Sequence, residues 1–144
     1  SSAATLGVRE TRRIIGEYVL TQEDVMSGRR FADALVHQAC FIVDIHNPVG
    51  GGQSTGGAPV AARPYDIPYR CFVPKRVDNL YTAGRCISGT HGAMASYRVM
   101  SICMAMGQAV GVAAAACVRE HVQPRMLPAV VVQRDLRKLG IELG

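Results

Sequence analysis

The sequence has no tryptophan, and aromatic residues make up only 6% of its 144 residues. Its hydrophobic content of 49% comes mainly from small and aliphatic side chains, which suit helices packed closely on a sheet. A chain with this much apolar surface can bury a core, so the composition argues against intrinsic disorder. The length corresponds to about one domain.

Long runs of basic residues are also lacking, although the net charge is +5. The 16 lysines and arginines are dispersed, with only short clusters such as Arg12–Arg13 and Arg29–Arg30. Nucleic-acid-binding proteins usually carry a basic stripe interleaved with stacking aromatic residues. We therefore predict no nucleic-acid partner.

The five cysteines form no CxxC pair, and their number is odd. A secreted disulfide framework and a cysteine zinc site are therefore not expected. The four histidines show no ligand spacing, so no metal site is predicted. Residues 1–7 lack both the charged and the apolar region of a secretory signal. Together these features predict a reducing, cytoplasmic location.

Hydrophobic periodicity and the glycines and prolines that interrupt it predict the secondary structure. Strands are expected over residues 12–20, 40–46, 69–73 and 79–83. Helices are expected from Thr21 to about Met26, over 31–38, over about 91–119 and over about 130–139. This order predicts an α/β fold, which would be mixed α+β if the chain is an isolated fragment.

Glycines and prolines dominate residues 47–64, which are predicted to form a loop. A loop of this length is either functional or mobile. It is not a phosphate-binding P-loop, because no Gly-Lys-Ser/Thr follows it. A flexible surface loop and a binding loop both remain open.

The predicted long helix contains no charge from Met100 to Val118, so a membrane span has to be considered. Gly107 and Gly111 even match the GxxxG pattern. However, alanine and glycine dominate its second half, and Gln108 lies in the middle. We therefore predict a buried helix packed against a sheet, and no membrane span.

A glycine-punctuated loop, residues 84–92, leads directly into this helix. The first turn of a helix has free N–H groups and a partial positive charge, and glycines let a ligand approach the backbone. Arg85, Ser88, Thr90 and His91 add polar side chains. The loop is therefore either a site for an anionic or electron-rich ligand or a helix cap with no ligand.

Several ordered motifs of this sequence resemble the C-terminal part of the FAD-dependent oxidoreductases of bacteria. The resemblance covers about residues 6–143 and is carried by the segments 9–18, 41–46, 65–74, 78–91, 96–100 and 106–115. The stretch from Ala83 to Ala115 is also similar to the wider glutathione-reductase-type flavoproteins. In those proteins a late strand and glycine loop return to the dinucleotide domain, and the next helix points its N-terminus at the flavin.

The resemblance implies FAD as the cofactor and assigns residues to it. The residues expected at the flavin edge are Gly89, Thr90, His91, Gly92 and Ala93, with Ser88 beside them. Gly84 and Arg85 match the motif that meets the ribityl and pyrophosphate groups. The wider superfamily often has an acid after that glycine, whereas the guanidinium of Arg85 is suited to phosphate.

The dinucleotide fingerprint GxGxxG is absent from this sequence, and the sequence does not begin with Met. We therefore expect a processed or cloned C-terminal piece, with residues 1–78 belonging to a substrate domain and residues 79–144 to the FAD domain. Its partners would be a small-molecule substrate and the N-terminal FAD-binding half of the same protein. Alone, the piece is expected to retain little FAD and to be inactive.

His46, His91 and Arg98 are the candidate catalytic residues. A histidine could orient a substrate or move a proton near neutral pH. Asp44 and His46 point to one face of a predicted strand, as a substrate contact or a structural pair. Arg98 could reach a substrate carboxylate or form a plain salt bridge. The competing hypothesis is a non-enzymatic module that uses the Ala/Gly-rich helix to bind a partner or to form a homo-oligomer.

Overall fold

The protein combines helices with one small antiparallel sheet, as a computed structural model shows. The structure describes residue 10, residues 12–45 and residues 61–143. Within these ranges the regular elements are α1 (Gln22–Ser27), β1 (Ala34–Ala39), β2 (Tyr65–Pro68), α2 (His91–Tyr97), α3 (Met100–Glu120) and α4 (Ala129–Lys138). Short 3₁₀ turns lie at Tyr69–Cys71, Gly84–Cys86 and Pro124–Met126. The mixed α+β character predicted for a fragment of an α/β protein is confirmed.

Helix α1 forms where its capping residues predict it. The Thr21 side chain accepts from the Asp24 N–H at 3.1 Å, and the Asp24 carboxylate accepts from the Thr21 N–H at 2.9 Å. This reciprocal capping box satisfies two backbone donors of the first turn. Gly28 ends the helix in the left-handed conformation, with φ of +70°.

The helix predicted over 31–38 is wrong, because this segment contains β1. Strand β1 pairs antiparallel with β2, with Ala34 opposite Pro68 and Ala39 opposite Tyr65. The backbone at Gln38 has φ of +53°, and its N–H donates to the buried Asp66 carboxylate at 3.3 Å. Pairing with a strand far along the chain therefore overrides the local helical spacing.

The other segments predicted as strands form no regular strand pairs in the structure. Residues 12–20 make single bridges from Gly16 to Pro74 and from Leu20 to Gly89. The strands predicted over 69–73 and 79–83 are wrong, since β2 ends at Pro68 and residues 79–83 form no strand. Residues 40–45 form no regular strand either, and position 46 lies outside the described residues.

The long helix predicted over about 91–119 is divided into α2 and α3. Arg98 ends α2, and Val99 adopts an extended conformation with ψ of 152°. The Arg98 side chain turns toward Asp44, and the Val99 carbonyl accepts from the Cys103 N–H at 2.9 Å. The break therefore changes the direction of the chain directly after α2.

The core lies between the sheet, α2 and one side of α3. The buried side of α3 comprises Ile102, Met106, Ala109, Ala113, Ala116 and Cys117. Helix α4 covers it through Val132 and Leu136, while Gln133 donates to the Ala32 and Ala34 carbonyls at 2.9 Å. The predicted helix over 130–139 is confirmed within one residue.

The other side of α3 is open, so the prediction that this helix is buried on most sides is wrong. Met100, Met104 and Val118 are 83%, 74% and 75% exposed. Among the described residues, α3 is also the one helix long and apolar enough to cross a membrane, and 33% of its most apolar window is buried. Length and composition do not separate such a span from the core helix of a soluble protein.

Candidate functional site

The glycine turn and loop are held between two earlier segments of the chain. The Ser88 N–H donates to the Cys71 carbonyl at 3.1 Å. The Leu20 N–H donates to the Ser88 carbonyl at 3.1 Å, and the Thr90 N–H donates to the Leu20 carbonyl at 2.8 Å. These bonds fix the backbone of the loop before α2 begins.

Two glycines of the loop allow other parts of the chain to approach closely. A Cβ atom on Gly89 would lie 2.8 Å from the Cε1 and hydroxyl atoms of Tyr97. A Cβ atom on Gly92 would lie 2.9 Å from the Cβ of Gln22 in α1. Both positions are buried. The protein itself therefore fills the space that these glycines leave.

The N-terminus of α2 is capped and mostly covered. The Thr90 hydroxyl accepts from the Ala93 N–H at 3.4 Å, and Ala93 is fully buried. The exposed His91 side chain has its Nδ1 2.5 Å from the Glu10 carboxylate. Of the residues predicted at the flavin edge, Thr90 and His91 are the ones that still reach the surface.

The turn at Gly84 is the accessible part of the predicted cofactor motif. Gly84 has φ of +66°, a conformation that favours glycine, and a Cβ there would find its nearest neighbour, the Cys103 sulfur, at 3.7 Å. Arg85 follows with its side chain exposed. Backbone and guanidinium are thus both open to a ligand at this turn.

Ser88 carries a buried hydroxyl without a partner in the part of the chain that the structure describes. The residue is 1% exposed, and its Oγ makes no hydrogen bond to any described residue. Such an orphaned polar atom costs stability unless a ligand or water meets it. Its Cβ lies against Gly16, where an added Cβ would come within 2.8 Å.

Arg98 forms an ion pair and lines a cleft. Its guanidinium donates to the Asp44 carbonyl at 2.8 Å and to the Asp44 carboxylate at 3.1 Å. This contact ties the segment before residue 46 to the end of α2. A cleft of about 390 Å³ opens beside it, lined by Phe41, Asp44, Arg85, Arg98, Val99 and Met100.

Two further predictions can be compared with the structure only in part. His46 lies outside the described residues, as do residues 47–60 of the predicted loop. The structure therefore leaves His91 and Arg85 exposed and Arg98 partly buried, without placing His46 relative to them. Within the described ranges, no group of three His, Cys, Asp or Glu side chains could hold a metal ion.

A buried tyrosine pair was not expected from the sequence. The Tyr69 hydroxyl donates to the Pro124 carbonyl at 2.6 Å and bonds the Tyr81 hydroxyl, which lies 3.3 Å from the Cys117 sulfur. Burial raises the pKa of Tyr69 to about 12, so this phenol stays neutral at ordinary pH. The pair joins the turn after α3 to the core, and no local sequence signal marks it.

The residues present fit FAD at one end of the predicted site. The open Gly84 backbone and the exposed Arg85 could receive polar groups of the cofactor, whereas the orphaned Ser88 hydroxyl is buried in the loop. Gly89, Gly92 and Ala93 are enclosed by the chain itself, so their part in the fold is packing. The assignment of cofactor residues remains a prediction at all these positions.

An accessible left-handed glycine turn with an adjoining exposed arginine is compatible with an anionic ligand. The family model for FAD-dependent oxidoreductases matches residues 1–136. The chain therefore belongs to the FAD-dependent oxidoreductase family, whose cofactor is FAD. No curated protein and no solved structure gave a significant match to this chain.

Proposed function

We propose that this chain is the C-terminal segment of a bacterial, glutathione-reductase-type FAD-dependent oxidoreductase, and that it contributes to the flavin and substrate sites. The family match over residues 1–136 is the observation that carries the proposal. When bound, FAD supplies hydride-transfer chemistry toward a small-molecule substrate. Residues 1–78 would belong to the substrate domain and residues 79–144 to the FAD domain.

In this proposal the Gly84–Arg85 turn binds the pyrophosphate part of the cofactor. The positive φ of Gly84 leaves the backbone open, and the exposed Arg85 guanidinium can pair with phosphate oxygens through two hydrogen bonds. The ion pair with Asp44 makes Arg98 a positioning residue for the cleft wall. His91 would lie at the rim of the site, where its ring is held by Glu10.

The proposed partner is the N-terminal FAD-binding half of the same protein, covering the open face of α3. That face is uncharged and includes Met100, Met104 and Val118. A Cβ atom on Gly107 or Gly111 would meet nothing within 4 Å, so another backbone could approach closely there. Without that half, the chain is expected to hold little FAD and to be inactive.

The first test is the visible absorption spectrum of the purified full-length gene product. A flavin band that bleaches on reduction supports the proposal, and a folded protein that takes up no added FAD contradicts it. Arg85→Ala should weaken FAD retention, whereas Arg137→Ala, at an exposed position of α4, should leave it unchanged. An equal loss of FAD retention in both variants would contradict a role of Arg85 in binding the cofactor.

A second test asks whether the N-terminal half covers the open face of α3. Met104→Glu in the full-length product should lower FAD retention, because a charge would be buried against the N-terminal half. Met126→Glu is the matched control, since Met126 is 71% exposed and Met104 is 74% exposed. Equal retention in the two variants would show that this face of α3 is not covered.

The open face of α3 also supports the second candidate, a non-enzymatic module that self-associates. Sedimentation of the 144-residue chain over a range of concentrations, with and without Met104→Glu, measures this. Oligomers that the substitution abolishes, in a full-length product without flavin, would favour the module over the enzyme. The proposed location remains the cytoplasm, in keeping with five cysteines that are all free thiols.

A further inference from the structure

Two of the five cysteines lie at the Gly84 turn, Cys86 within it and Cys103 in the adjoining first turn of α3. The Cys103 sulfur is 3.7 Å from the position that a Cβ atom on Gly84 would occupy. The Cys86 sulfur folds back onto the peptide that precedes Gly84, and its S–H donates to the Ala83 carbonyl at 3.0 Å. Cys86 therefore belongs to the turn, and Cys103 approaches the turn from α3.

The two thiols differ in access, as a reactive cysteine and its resolving partner do. Cys86 is exposed, and Cys103 is half-buried in the first turn of α3. Burial raises the pKa of the Cys103 thiol. An oxidant can therefore reach the Cys86 sulfur directly, and Cys103 would act as the resolving cysteine.

The turn that carries Cys86 is short and spans only Gly84–Cys86. The Ile87 N–H donates to the Gly84 carbonyl at 3.5 Å, and the Ile14 N–H donates to the Cys86 carbonyl at 3.2 Å, so the Cys86 backbone is held while its side chain is exposed. Disulfide formation needs Cα atoms at about 4.4–6.8 Å and a rotation of the Cys86 side chain away from Ala83. Because the turn packs directly on α3, this adjustment is local.

The remaining cysteines offer no comparable pair. Cys71 is fully buried, and burial raises the pKa of its thiol to about 12. Cys117 is buried beside the Tyr81 hydroxyl. Cys40 is exposed on a different segment, where its nearest polar contact is the Ala62 carbonyl at 3.9 Å.

We propose that Cys86 and Cys103 form a redox-responsive thiol pair, which hydrogen peroxide converts into a disulfide that links the Gly84 turn to α3. The Cys86 thiolate attacks one peroxide oxygen, the O–O bond breaks, and hydroxide leaves and takes up a proton to become water. The Cys103 sulfur then attacks Cys86, the S–O bond breaks, and a second water leaves. Two thiols lose two electrons and two protons, and one peroxide becomes two waters.

The test treats the full chain with hydrogen peroxide and maps its peptides without reduction. Trypsin releases Cys86 in residues 86–98, and it releases Cys103 together with Cys117 in residues 99–119. We expect a cross-linked 86–98/99–119 species that a thiol reductant removes. Cys86→Ser and Cys103→Ser should each abolish it, whereas Cys117→Ser and Cys40→Ser should retain it.

The same experiment has outcomes that overturn the proposal. These are a cross-link that survives Cys103→Ser, a disulfide between two chains through Cys86, or oxidation of Cys86 to sulfinic acid with no cross-link. Circular dichroism of each variant checks its folding, and Cys103→Ala replaces Cys103→Ser if the hydroxyl disturbs α3. Because burial raises the pKa of Cys103, cross-linking should also become faster as the pH rises from 7 to 9.

Discussion

Two groups of glycines serve opposite purposes in this protein. In the segments around the Gly84–Gly92 loop, Gly16, Gly89 and Gly92 let side chains and backbone of the same chain approach closely. In α3, Gly107 and Gly111 face open space, with nothing within 4 Å of an added Cβ. The first group is needed by the fold as it stands, whereas the second weakens a helix without any contact in return.

The first group of glycines therefore serves internal packing, whereas the second lies on a surface that the described structure does not cover. Glycine inside a helix costs about 0.5–1 kcal/mol relative to alanine. The open glycines of α3 lie on the same face as exposed Met104. A docking surface for a second backbone would explain glycines that lower helix stability on an uncharged face. Glycine-to-alanine substitutions in the two groups should therefore change the free energy of unfolding in opposite directions.

Gly16→Ala should give the largest loss of stability. An added Cβ would lie 2.9 Å from the Arg70 carbonyl oxygen and 3.0 Å from the Val73 carbonyl oxygen. These are backbone atoms of a turn to which this segment is hydrogen-bonded, so neither can move aside freely. We expect a decrease toward the upper end of the about 1–3 kcal/mol typical of overpacking, measured by urea unfolding. An unchanged unfolding midpoint would mean that the crossing at Gly16 is loose.

Gly89→Ala should give a smaller loss, because it would press on a side chain and not on backbone. The new Cβ would meet the Cε1 and hydroxyl atoms of Tyr97 at 2.8 Å, and Tyr97 is fully buried. We expect a decrease of about 1–2 kcal/mol in the free energy of unfolding. Adding Tyr97→Phe removes one of the two close atoms, so the double variant should recover part of the loss. A double variant less stable than both single variants would place the strain elsewhere.

Parts of this packing could be predicted from the sequence, where the signals are local. Thr21, Asp24 and Gly28 specify both ends of α1, and these positions agree with the structure. Helix α4 follows equally well from its spacing. Local capping and periodicity therefore suffice where an element needs no distant partner to define it.

Other parts depend on contacts between segments far apart in the chain. Residues 31–38 have helical spacing, yet β1 forms because β2 and the Asp66 carboxylate bind its backbone. The division of α2 from α3 coincides with a contact between Arg98 and the distant Asp44. At the candidate site Gly84 and Arg85 lie open, and their role stays a prediction. The packing of Gly89 on Tyr97 has no signature in sequence spacing.

Gly107→Ala and Gly111→Ala should stabilise the 144-residue chain, which is the opposite sign to the loop variants. Each should add about 0.5–1 kcal/mol to the free energy of unfolding, because alanine restricts the unfolded chain and favours the helix. Thermal unfolding followed by circular dichroism measures this. A full-length product destabilised by the same changes would locate a close backbone contact on this face. A loss of stability in the 144-residue chain itself would contradict the open face.

The last prediction concerns the pH dependence of stability in Asp24→Asn, in the helix that packs on Gly92. Burial opposes ionisation of Asp24, but hydrogen bonds from the Thr21 N–H at 2.9 Å, Arg29 at 2.9 Å and Tyr18 at 2.8 Å outweigh it and lower the pKa. A carboxylate with a lower pKa in the folded state stabilises the protein above its unfolded pKa of about 3.9. That stabilisation is lost as the pH falls through the folded pKa.

The free energy of unfolding of the unmodified chain should therefore fall more steeply below about pH 4 than that of Asp24→Asn. Glu23→Gln, at the exposed neighbouring position, is the control and should keep the steep fall. If the Asp24→Asn curve runs parallel to that of the unmodified chain, the carboxylate does not hold α1 in place. If the curves converge in acid, the ionised Asp24 carboxylate stabilises α1 through Tyr18, Thr21 and Arg29.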